Sequence, residues 1–445
     1  MQLQTHFASR EELEQYIHAQ FPGAAQRGPE ISPICGGRKA AETLLQKIDP
    51  EEYASTRNML TGSVTKLSPY LRHGVLTLAE VRHSLLKHTP AHQAHKILQE
   101  LAWRDYFQRV YEQLGNDIWQ DIEPYKTGFQ QYLDQLPDDI KEGTTGLTCI
   151  DSFSNDLRTT GYLHNHVRMW TAAYVVHHRH VHWQAGAYWF LQHLLDGDPA
   201  SNNLSWQWVA STFAAKPYYF NRENLARYTQ DAYCSVCPLL HNGCPFEGSY
   251  KEVAERIFSA ASTDQEQQQG PVQTPLMKRL SGHLERNKSS SKVDNNPLTN
   301  AAMVWINEDG LDPNGPALSA NPQAIPLFVF DEATIERAGW TLKRIAFIYE
   351  CLLEVPGVQI YKGAPVEVLL SQLILHEGQN NAPPLLATTT SIDPRLQQIM
   401  SRLHEQVPMR LYEIEPFIQD AHIRDLRRFS RYWQNVEHKV ISDEK

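Results

Sequence analysis

The segment DGDPASNNLSWQW (196–208), with TGYLHNHVRM (160–169) before it, holds the most informative polar side chains of the chain. Both segments run through apolar, tryptophan-rich sequence, where an unpaired polar or charged side chain is costly. The residues alone leave two interpretations open, an internal ion pair between Arg168 and Asp196 or the polar lining of a cofactor pocket. The polar side chains concerned are Arg168, Asp196, Asp198, Asn202 and Asn203.

Helical periodicity surrounds these segments on both sides. KILQELAWRDYFQRVYEQLG (96–115) places its apolar side chains on one helical face, and AGAYWFLQHLL (185–195) and SYKEVAERIFSAA (249–261) repeat that spacing. Seven of the ten tryptophans fall between Trp103 and Trp208, which calls for an explanation. A well-packed helical core is one, because large aromatics dominate burial, and a site that stacks on a ring system or moves electrons is the other.

The second half changes to short apolar runs separated by helical stretches, after a polar segment rich in Gln, Ser, Asn and Pro. Strands that alternate with helices predict parallel βαβ units and a doubly wound sheet. The predicted fold class is therefore multidomain, with an all-helical domain followed by a doubly wound parallel α/β domain. The predicted boundaries are a helical domain over 1–260, a flexible linker over 261–300, a Rossmann-like α/β domain over 301–420 and an amphipathic helix over 421–445.

Composition limits the class of protein. The chain has 445 residues, of which 41% are hydrophobic and 21% charged, which is ordinary for a soluble globular protein and excludes disorder over the whole length. No apolar run reaches the roughly 18 residues of a membrane helix, and the first residues lack the pattern of a secretory signal, so we expect a cytoplasmic protein without membrane contact. The net charge of −10 gives no global basic footprint, so contact with DNA needs a local patch.

Three cysteines lie close together in the sequence. Cys234 and Cys237 form a CxxC pair, and Cys244 follows seven residues later, before Pro245 and Phe246. Two thiolates three residues apart on a turn, with a third nearby, are typical of both zinc and iron–sulfur sites. Such a site needs a fourth ligand, and spacing does not choose among the remaining cysteines. Those are Cys35, Cys149 and Cys351.

Two further motifs allow more than one interpretation. TGSVTKLSPYLRHG (61–74) suits a phosphate bound by backbone N–H groups at a helix start together with Thr65, Lys66 and Ser68, and a plain helix N-cap is the alternative. HHRHVHW (177–183) has four histidines in six residues, which can bind a metal or contact phosphate when protonated. A solvated loop is the favoured interpretation of this second motif.

In their order and spacing, the motifs resemble the FAD-binding helical domain of the cryptochrome/photolyase family. The resemblance runs from Cys35 to about Phe258. It is carried by Tyr53 with Arg57, VTKLSPYLRHG (64–74), QELAWRDYF (99–107), TGYLHNHVRM, DGDPASNNLSWQW and AAKPYYFN (214–221). The resemblance implies that the chain binds FAD. The residues implied to contact the cofactor are Tyr53, Val64, Thr65, Lys66, Leu67, Ser68, Arg168, Asp196, Asp198 and Asn202.

The same resemblance implies light-driven repair of UV-damaged DNA, in which an electron from photoexcited reduced FAD splits a cyclobutane pyrimidine dimer. Asn202 matches the position that faces flavin N5. His164 with Asn165 replaces the paired histidines of (6-4) photolyases, which favours the cyclobutane dimer as substrate. The alternative function is a cryptochrome-like blue-light photoreceptor that signals through a protein partner. The residues implied to line the dimer pocket are Glu100, Trp103, Asn165, Met169 and Trp208.

A tryptophan relay that photoreduces the flavin is also implied. Trp206 and Trp183 match its inner two members, and Gln130 stands at the position of the outer tryptophan. Three side chains remain candidates for a different outer route, namely Trp119, Tyr132 and Trp170. The residues implied to be catalytic are Glu100, Asn202, Trp206 and Trp183.

Within the family, GTTGLTCID (143–151) and YCSVCPLLHNGCPF (233–246) are similar to the prokaryotic iron–sulfur branch. In that branch a cysteine of the TGxxC segment joins a CxxC pair and the cysteine of CPF around a [4Fe–4S] cluster. The resemblance therefore selects Cys149 as the fourth ligand. The implied cluster ligands are Cys149, Cys234, Cys237 and Cys244.

The second half of the chain is similar to the antenna-type α/β domain of the family. In the family that domain normally precedes the FAD domain, whereas here it follows. The opening strand of that domain usually leads into arginines, and this chain has Ile306, Asn307 and Glu308 there. The resemblance therefore leaves the antenna chromophore unassigned.

Overall fold

The computed structural model divides the chain into two compact units, each assembled from separated segments. The α/β unit comprises Met1–Lys47, Lys66–Ser84 and Glu285–Gln419. The helical unit comprises Ile48–Thr65, Leu85–Leu284 and Asp420–Lys445. The residues that the structure describes are 1–241, 243–258, 272–282, 300–376, 384–419 and 423–442.

One sheet forms the centre of the α/β unit. Among the described residues its strands follow the order β1-β4-β3-β2-β5-β6. Strands β2 to β6 are all parallel to one another, which confirms the predicted parallel sheet. Strands β2 and β5 are buried at every residue, as expected for parallel strands covered on both faces. The strands are β1 (Gln2–Leu3), β2 (Met303–Ile306), β3 (Ile325–Asp331), β4 (Gln359–Gly363), β5 (Leu386–Thr389) and β6 (Met409–Tyr412).

The α-helices of both units are numbered together along the chain. In the described part of the chain, none of them has the length and apolar character needed to cross a membrane. They are α1 (Arg10–Gln20), α2 (Pro22–Arg27), α3 (Arg38–Gln46), α4 (Pro50–Thr56), α5 (Ser68–Arg72), α6 (Leu78–His88), α7 (Ala91–Leu114), α8 (Asp138–Glu142), α9 (Thr148–Thr160), α10 (Asn165–Ala173), α11 (Trp183–His193), α12 (Pro199–Ala210), α13 (Arg222–Thr229), α14 (Tyr250–Ile257), α15 (Pro275–Arg279), α16 (Pro316–Ala320), α17 (Glu332–Arg337), α18 (Leu342–Leu353), α19 (Pro365–His376), α20 (Pro394–His404) and α21 (Phe429–Ile441).

The division into units differs from the boundaries expected from sequence at 260, 300 and 420. Strand β1 pairs antiparallel with β4, so that Leu3 lies opposite Ile360, and the first 47 residues belong to the α/β unit. A two-residue strand is too short to show an alternating pattern, which is why the sequence did not reveal it. Of the expected linker, residues 272–282 and 300 are described, and they include α15. The rest of that linker lies outside the described residues.

The helical unit is organised around α7. The buried face of α7 includes Tyr106, and the C-terminal helix α21 packs along α7. The hydroxyl of Tyr432 on α21 donates to the buried Asp105 on α7 at 2.5 Å, and the Tyr106 hydroxyl donates to the Leu426 carbonyl at 2.9 Å. A buried hydroxyl and a buried carboxylate satisfy each other in this way without water. The predicted amphipathic tail is thus a fixed part of the helical unit, though it begins at Phe429 rather than at 421.

The HHRHVHW motif (177–183) is not a solvated loop. A π-helical turn, Tyr174–His178, contains its first two histidines, and His177 is buried with its Nε2 3.0 Å from the Val209 carbonyl. The motif ends at Trp183, the first residue of α11. Burial lowers the pKa of His177 to about 4 and that of His178 to about 3, so both rings are neutral at pH 7.

Candidate functional site

The ion pair expected between Arg168 and Asp196 is present in the helical unit. Arg168 on α10 donates from Nη2 to the buried Asp196 at 2.9 Å and from Nε to the Leu163 carbonyl at 2.9 Å. Its guanidinium also lies 5.7 Å from the ring centroid of Tyr162, whose pKa burial raises to about 12. A buried carboxylate that pairs with an arginine is restricted in position. The pair is therefore an ordered feature next to the start of α12.

Asp198 fixes the first turn of α12. Its Oδ1 accepts from the Ala200 N–H at 3.0 Å, which caps the helix, and Pro199 occupies the first helical position. Its Oδ2 accepts from Gln108 at 2.6 Å and lies 3.2 Å from Arg104. Sequence reasoning gave Asp198 a role in lining the flavin. The structure adds two further roles. Asp198 caps α12, and its contacts with Gln108 and Arg104 connect α12 to α7.

Asn202 and Asn203 follow one turn later on α12. The Asn202 side-chain amide donates to the Ala187 carbonyl at 3.0 Å and to Asn203 Oδ1 at 3.1 Å, so both of its N–H groups are used. Asn203 is completely buried, and its Nδ2 has no hydrogen-bond partner among the described residues. A buried polar atom left without a partner is uncommon unless a ligand or water completes it. This orphaned amide is the kind of group that a polar cofactor such as FAD would satisfy.

Glu100 on α7 is held between two cations. Arg57 approaches one carboxylate oxygen at 3.1 Å and Lys96 the other at 2.8 Å. The Arg57 guanidinium also lies 5.7 Å from the Tyr53 ring, so the structure brings Tyr53 and Glu100 together. Burial raises the pKa of Tyr53, with a further contribution from the Glu100 charge. Sequence reasoning noted Arg57 as a motif residue but did not assign Lys96, which lies one helical turn before Glu100 on the same face.

His164 connects this cluster to α10. Its Nδ1 accepts from the His166 N–H at 3.1 Å and caps α10, so its Nε2 carries the proton and donates to the Arg57 carbonyl at 3.0 Å. Burial lowers the pKa of His164 and of His166 to about 4. Asn165, predicted to line the dimer pocket, is exposed on α10, and its amide lies 3.5 Å from the Met169 sulfur.

Trp103 forms one end of a stack of aromatic rings. Its indole lies face to face with Phe429 of α21, with 3.7 Å between ring centroids and 11° between planes. Phe429 in turn is stacked on Trp433, at 6.0 Å and 17°. Trp103 itself is half-buried. This stack could not be predicted from sequence, because the amphipathic pattern of the tail does not say which surface its apolar face covers.

The two tryptophans predicted to be the inner relay members are buried on two helices that pack together. Trp206 on α12 packs edge-on against Phe190, with 5.0 Å between centroids. Its six-membered ring lies directly against the backbone of α11 at Gly186, where a Cβ atom would overlap it. Gly186 lies one turn after Trp183, so Trp206 packs against the helix that carries Trp183. Trp208, predicted to line the dimer pocket, is half-buried and lies 5.5 Å from the Tyr218 ring.

The segment predicted to contact the FAD phosphates is divided between the two units. Val64 and Thr65 belong to the helical unit, whereas Lys66, Leu67 and Ser68 belong to the α/β unit. Helix α5 begins at Ser68, and the side chain of its N-cap residue, Leu67, makes no capping hydrogen bond. Lys66 has a φ of 54°, a left-handed conformation that is uncommon outside glycine. Such backbone is typical of functional turns.

Four cysteines line one pocket in the helical unit, namely Cys149, Cys234, Cys237 and Cys244. Arg222 lines the same pocket. Burial raises the pKa of the Cys234 thiol to about 11 and raises the pKa of Cys149 and Cys244 as well, so these three thiols are protonated without a metal. Cys35 and Cys351 lie in the α/β unit. In the part of the chain that the structure describes, no group of three or more His, Cys, Asp or Glu has the arrangement that holds a metal ion.

Comparison with known proteins finds matches to part of this chain. Residues 97–232 match the family model described as the FAD binding domain of DNA photolyase. The chain is 32% identical over 192 residues to a deoxyribodipyrimidine photo-lyase of Streptomyces griseus, which is 43% of this chain and 40% of that protein. It is 34% identical over 165 residues to a chloroplastic/mitochondrial cryptochrome DASH of Solanum lycopersicum, which is 36% of this chain and 29% of that protein. The chain thus spans less than half the length of either relative.

Among solved structures, the chain is similar to an archaeal photolyase from Sulfolobus tokodaii determined with two FAD molecules. The sequence identity is 27% and the TM-score 0.38, over 44% of this chain and 45% of that one. The sequence matches support a relationship to the cryptochrome/photolyase family, with an FAD-binding domain in the helical unit. Because relatives of both names match the chain at similar identity, they do not separate DNA repair from a cryptochrome function.

Proposed function

We propose that this protein is a light-driven DNA-repair flavoprotein of photolyase type that splits cyclobutane pyrimidine dimers. The observation that carries the proposal is the polar cluster at the start of α12, where the Arg168–Asp196 pair, Asn202 and the orphaned amide of Asn203 lie within the segment matching an FAD-binding domain. Burial of an amide without a hydrogen-bond partner is unfavourable, and a polar ligand beside it would remove that cost. The residues proposed to hold FAD are Tyr53, Val64, Thr65, Lys66, Leu67, Ser68, Arg168, Asp196, Asp198 and Asn202.

When bound, reduced FAD supplies light absorption and the electron that opens the cyclobutane ring. The protein's part is positioning and electrostatics. The Arg168–Asp196 pair places a fixed cation and anion side by side, and the capped start of α12 holds Asn202 in one orientation. Since both Asn202 N–H groups are already used, its Oδ1 is the polar atom left to face a ligand.

The proposed substrate is pyrimidine-dimer DNA, taken up beside α7. Trp103 offers a flat indole held in place by Phe429, and base stacking on an aromatic ring contributes about 1–3 kcal/mol per base. Glu100 is positioned by Arg57 and Lys96, whose side chains also provide a small excess of positive charge at this place. A carboxylate next to a stacked base can accept a hydrogen bond from its edge. The remaining proposed contacts are Asn165, Met169 and Trp208.

We also propose that Cys149, Cys234, Cys237 and Cys244 hold a [4Fe–4S] cluster. The support is that all four line one pocket together with Arg222, whose positive charge suits an anionic, thiolate-bound cluster. The pocket is bounded by α9 and α13, which carry Cys149 and Arg222. A cluster there would link two helices and the CxxC turn, and its role is structural.

The test of the main proposal is repair by the flavin-loaded, chemically reduced protein. We expect illumination with a single-stranded oligonucleotide containing one thymine dimer to restore the two thymines, and a dark sample to leave the dimer intact. Glu100→Ala is expected to lower the repair rate without changing the flavin absorption spectrum, because Glu100 contacts substrate in this proposal. An intact dimer after prolonged illumination of the wild type would refute the repair function.

One observation favours the cryptochrome-like photoreceptor as a second candidate. Phe429 of α21 covers one face of Trp103, so the C-terminal helix contacts the residue that the repair proposal places in the dimer pocket. In a photoreceptor, such a contact would let a change near the flavin reach a terminal segment that meets a partner protein. A reversible flavin photocycle with unrepaired DNA in the experiment above would favour this second function.

A further inference from the structure

Trp183 has a hydrogen bond that the assigned functions do not explain. Its indole is completely buried, yet Nε1–H donates to Oδ1 of the solvent-exposed Asp121 at 2.7 Å. Gln184 contacts the same carboxylate oxygen at 3.3 Å and the Trp119 carbonyl at 3.3 Å. A buried indole N–H that ends on a carboxylate at the surface is a direct route for a proton between ring and solvent.

Trp119 lies beside Trp183 on this route. The two rings are nearly parallel, with 6.3 Å between centroids and 13° between planes, and Trp119 is half-buried. An outer electron donor must be close to Trp183 and also reachable by a reductant in solution, and Trp119 meets both conditions. Gln130, at the position of the usual outer tryptophan, is exposed and cannot be oxidised under these conditions.

The other two candidates fit these conditions less well. Tyr132 is stacked on Tyr125 at 4.5 Å, and its hydroxyl is bonded to Thr127 at 2.5 Å. Trp170 is completely buried, and its ring neighbours include Phe153 and Phe220. Neither ring makes a face-to-face contact with Trp183 in the described part of the structure.

Given the flavin-based function proposed above, we propose that Trp119 is the outer electron donor to Trp183 and that Asp121 accepts the indole proton of oxidised Trp183. This inference concerns reduction of the flavin, whereas the proposed function concerns repair by flavin that is already reduced. The two can therefore fail independently.

Trp183 loses one electron, through Trp206, to the photoexcited oxidised flavin. The Trp183 radical cation gives its Nε1 proton to Asp121 along the existing hydrogen bond, which leaves a neutral indolyl radical and a neutral carboxyl group. Trp119 then supplies one electron to Trp183 while Asp121 returns the proton, and a thiol in solution reduces the Trp119 radical.

The experiment is flash photolysis of the protein loaded with oxidised FAD, in buffer with dithiothreitol, in H₂O and in D₂O. In the wild type we expect the neutral tryptophan radical to form with a solvent isotope effect. Asp121→Asn keeps a hydrogen-bond acceptor but cannot take the proton, so we expect radical deprotonation to slow by about a hundredfold or more, the usual contribution of a positioned base. Trp119→Phe keeps the stacked ring and is expected to lower the yield of stable reduced flavin severalfold.

Tyr132→Phe serves as the matched control, because it removes a hydroxyl near the same segment without touching the Trp119–Trp183 pair. It should give the wild-type yield. A wild-type yield in Trp119→Phe, or an unchanged radical spectrum and isotope effect in Asp121→Asn, would overturn the inference. Dithionite-reduced samples of the wild type, tested for dimer repair, report on the proposed function separately from the relay.

Discussion

Glu100 shows at the scale of one residue how the proposed site is held. Two cations contact its carboxylate, but they differ in exposure, since the Arg57 side chain is 16% exposed and that of Lys96 37%. The more buried pair is less screened by solvent and more restricted in geometry. His164 adds to this by donating to the Arg57 carbonyl. Arg57 is therefore a positioning residue for Glu100.

The prediction from this difference concerns Arg57→Gln. We expect it to lower kcat/KM for dimer repair by about tenfold, equivalent to about 1.4 kcal/mol, because Glu100 loses its better-ordered partner. Lys96→Gln is the matched control. It should raise the activation free energy by less than half as much as Arg57→Gln, because exposed ion pairs contribute little. The measurement is the initial repair rate as a function of oligonucleotide concentration. Equal effects of the two substitutions would contradict the positioning role of Arg57.

A second prediction at this scale concerns acid stability. The folded pKa of His177 is about 4 against an ordinary value of 6.5, because burial disfavours its charged form. As the pH falls below 6.5, the unfolded chain binds a proton that the folded protein does not. The contribution of His177 to the free energy of unfolding is therefore fully present above pH 6.5 and is lost as the pH falls toward 4. This single group accounts for a loss on the order of 3 kcal/mol.

His177→Gln tests that assignment, since a glutamine can still donate to the Val209 carbonyl but does not titrate. We expect the free energy of unfolding, measured by urea denaturation, to depend less steeply on pH between 6.5 and 4 in this variant than in the wild type. The exposed His88 provides a control, and His88→Gln should keep the wild-type pH dependence. The same slope in all three proteins would show that His177 is not responsible.

At the scale of elements, helices α11 and α12 lie so close together that one added methyl group would disturb their contact. A Cβ at Gly186 would overlap the ring of the buried Trp206, which cannot move away as a flexible surface side chain could. Gly186→Ala is therefore expected to destabilise the protein by about 1–3 kcal/mol, despite the better helix propensity of alanine. Urea denaturation measures it, and Tyr188→Ala, at an exposed position of the same helix, should change stability by less than about 0.5 kcal/mol.

The elements also show what the sequence could and could not predict. Long helices such as α7 followed from apolar periodicity, because burial of one face imposes a regular spacing. The parallel strands followed from short apolar runs that alternate with helices. The Arg168–Asp196 pair followed from the cost of isolated charges in apolar sequence. Strand β1 and the contact of Phe429 with Trp103 did not, since each depends on a partner far away in the chain.

At the scale of the whole molecule, each of the two units contains segments from both sides of residue 300, where a domain boundary was expected from sequence. Strand β1 supplies a partner for the edge of β4, and α21 supplies the Tyr432 hydroxyl that satisfies Asp105. The first of these elements comes from the start of the chain and the second from its end. Each unit therefore depends on both halves of the sequence.

Cutting the chain at residue 300 should consequently leave neither half folded. Fragment 1–300 lacks α21, so Asp105 on α7 loses its Tyr432 partner and the apolar surface of α7 becomes exposed. Fragment 301–445 lacks β1, which leaves the edge of β4 unpaired and prone to aggregation. We expect each fragment to be insoluble or non-cooperative in thermal unfolding monitored by circular dichroism. Co-expression of the two should restore a soluble complex, because the missing elements then meet their partners. Cooperative unfolding of fragment 1–300 alone, with a wild-type midpoint, would show that the helical unit does not depend on its C-terminal helix.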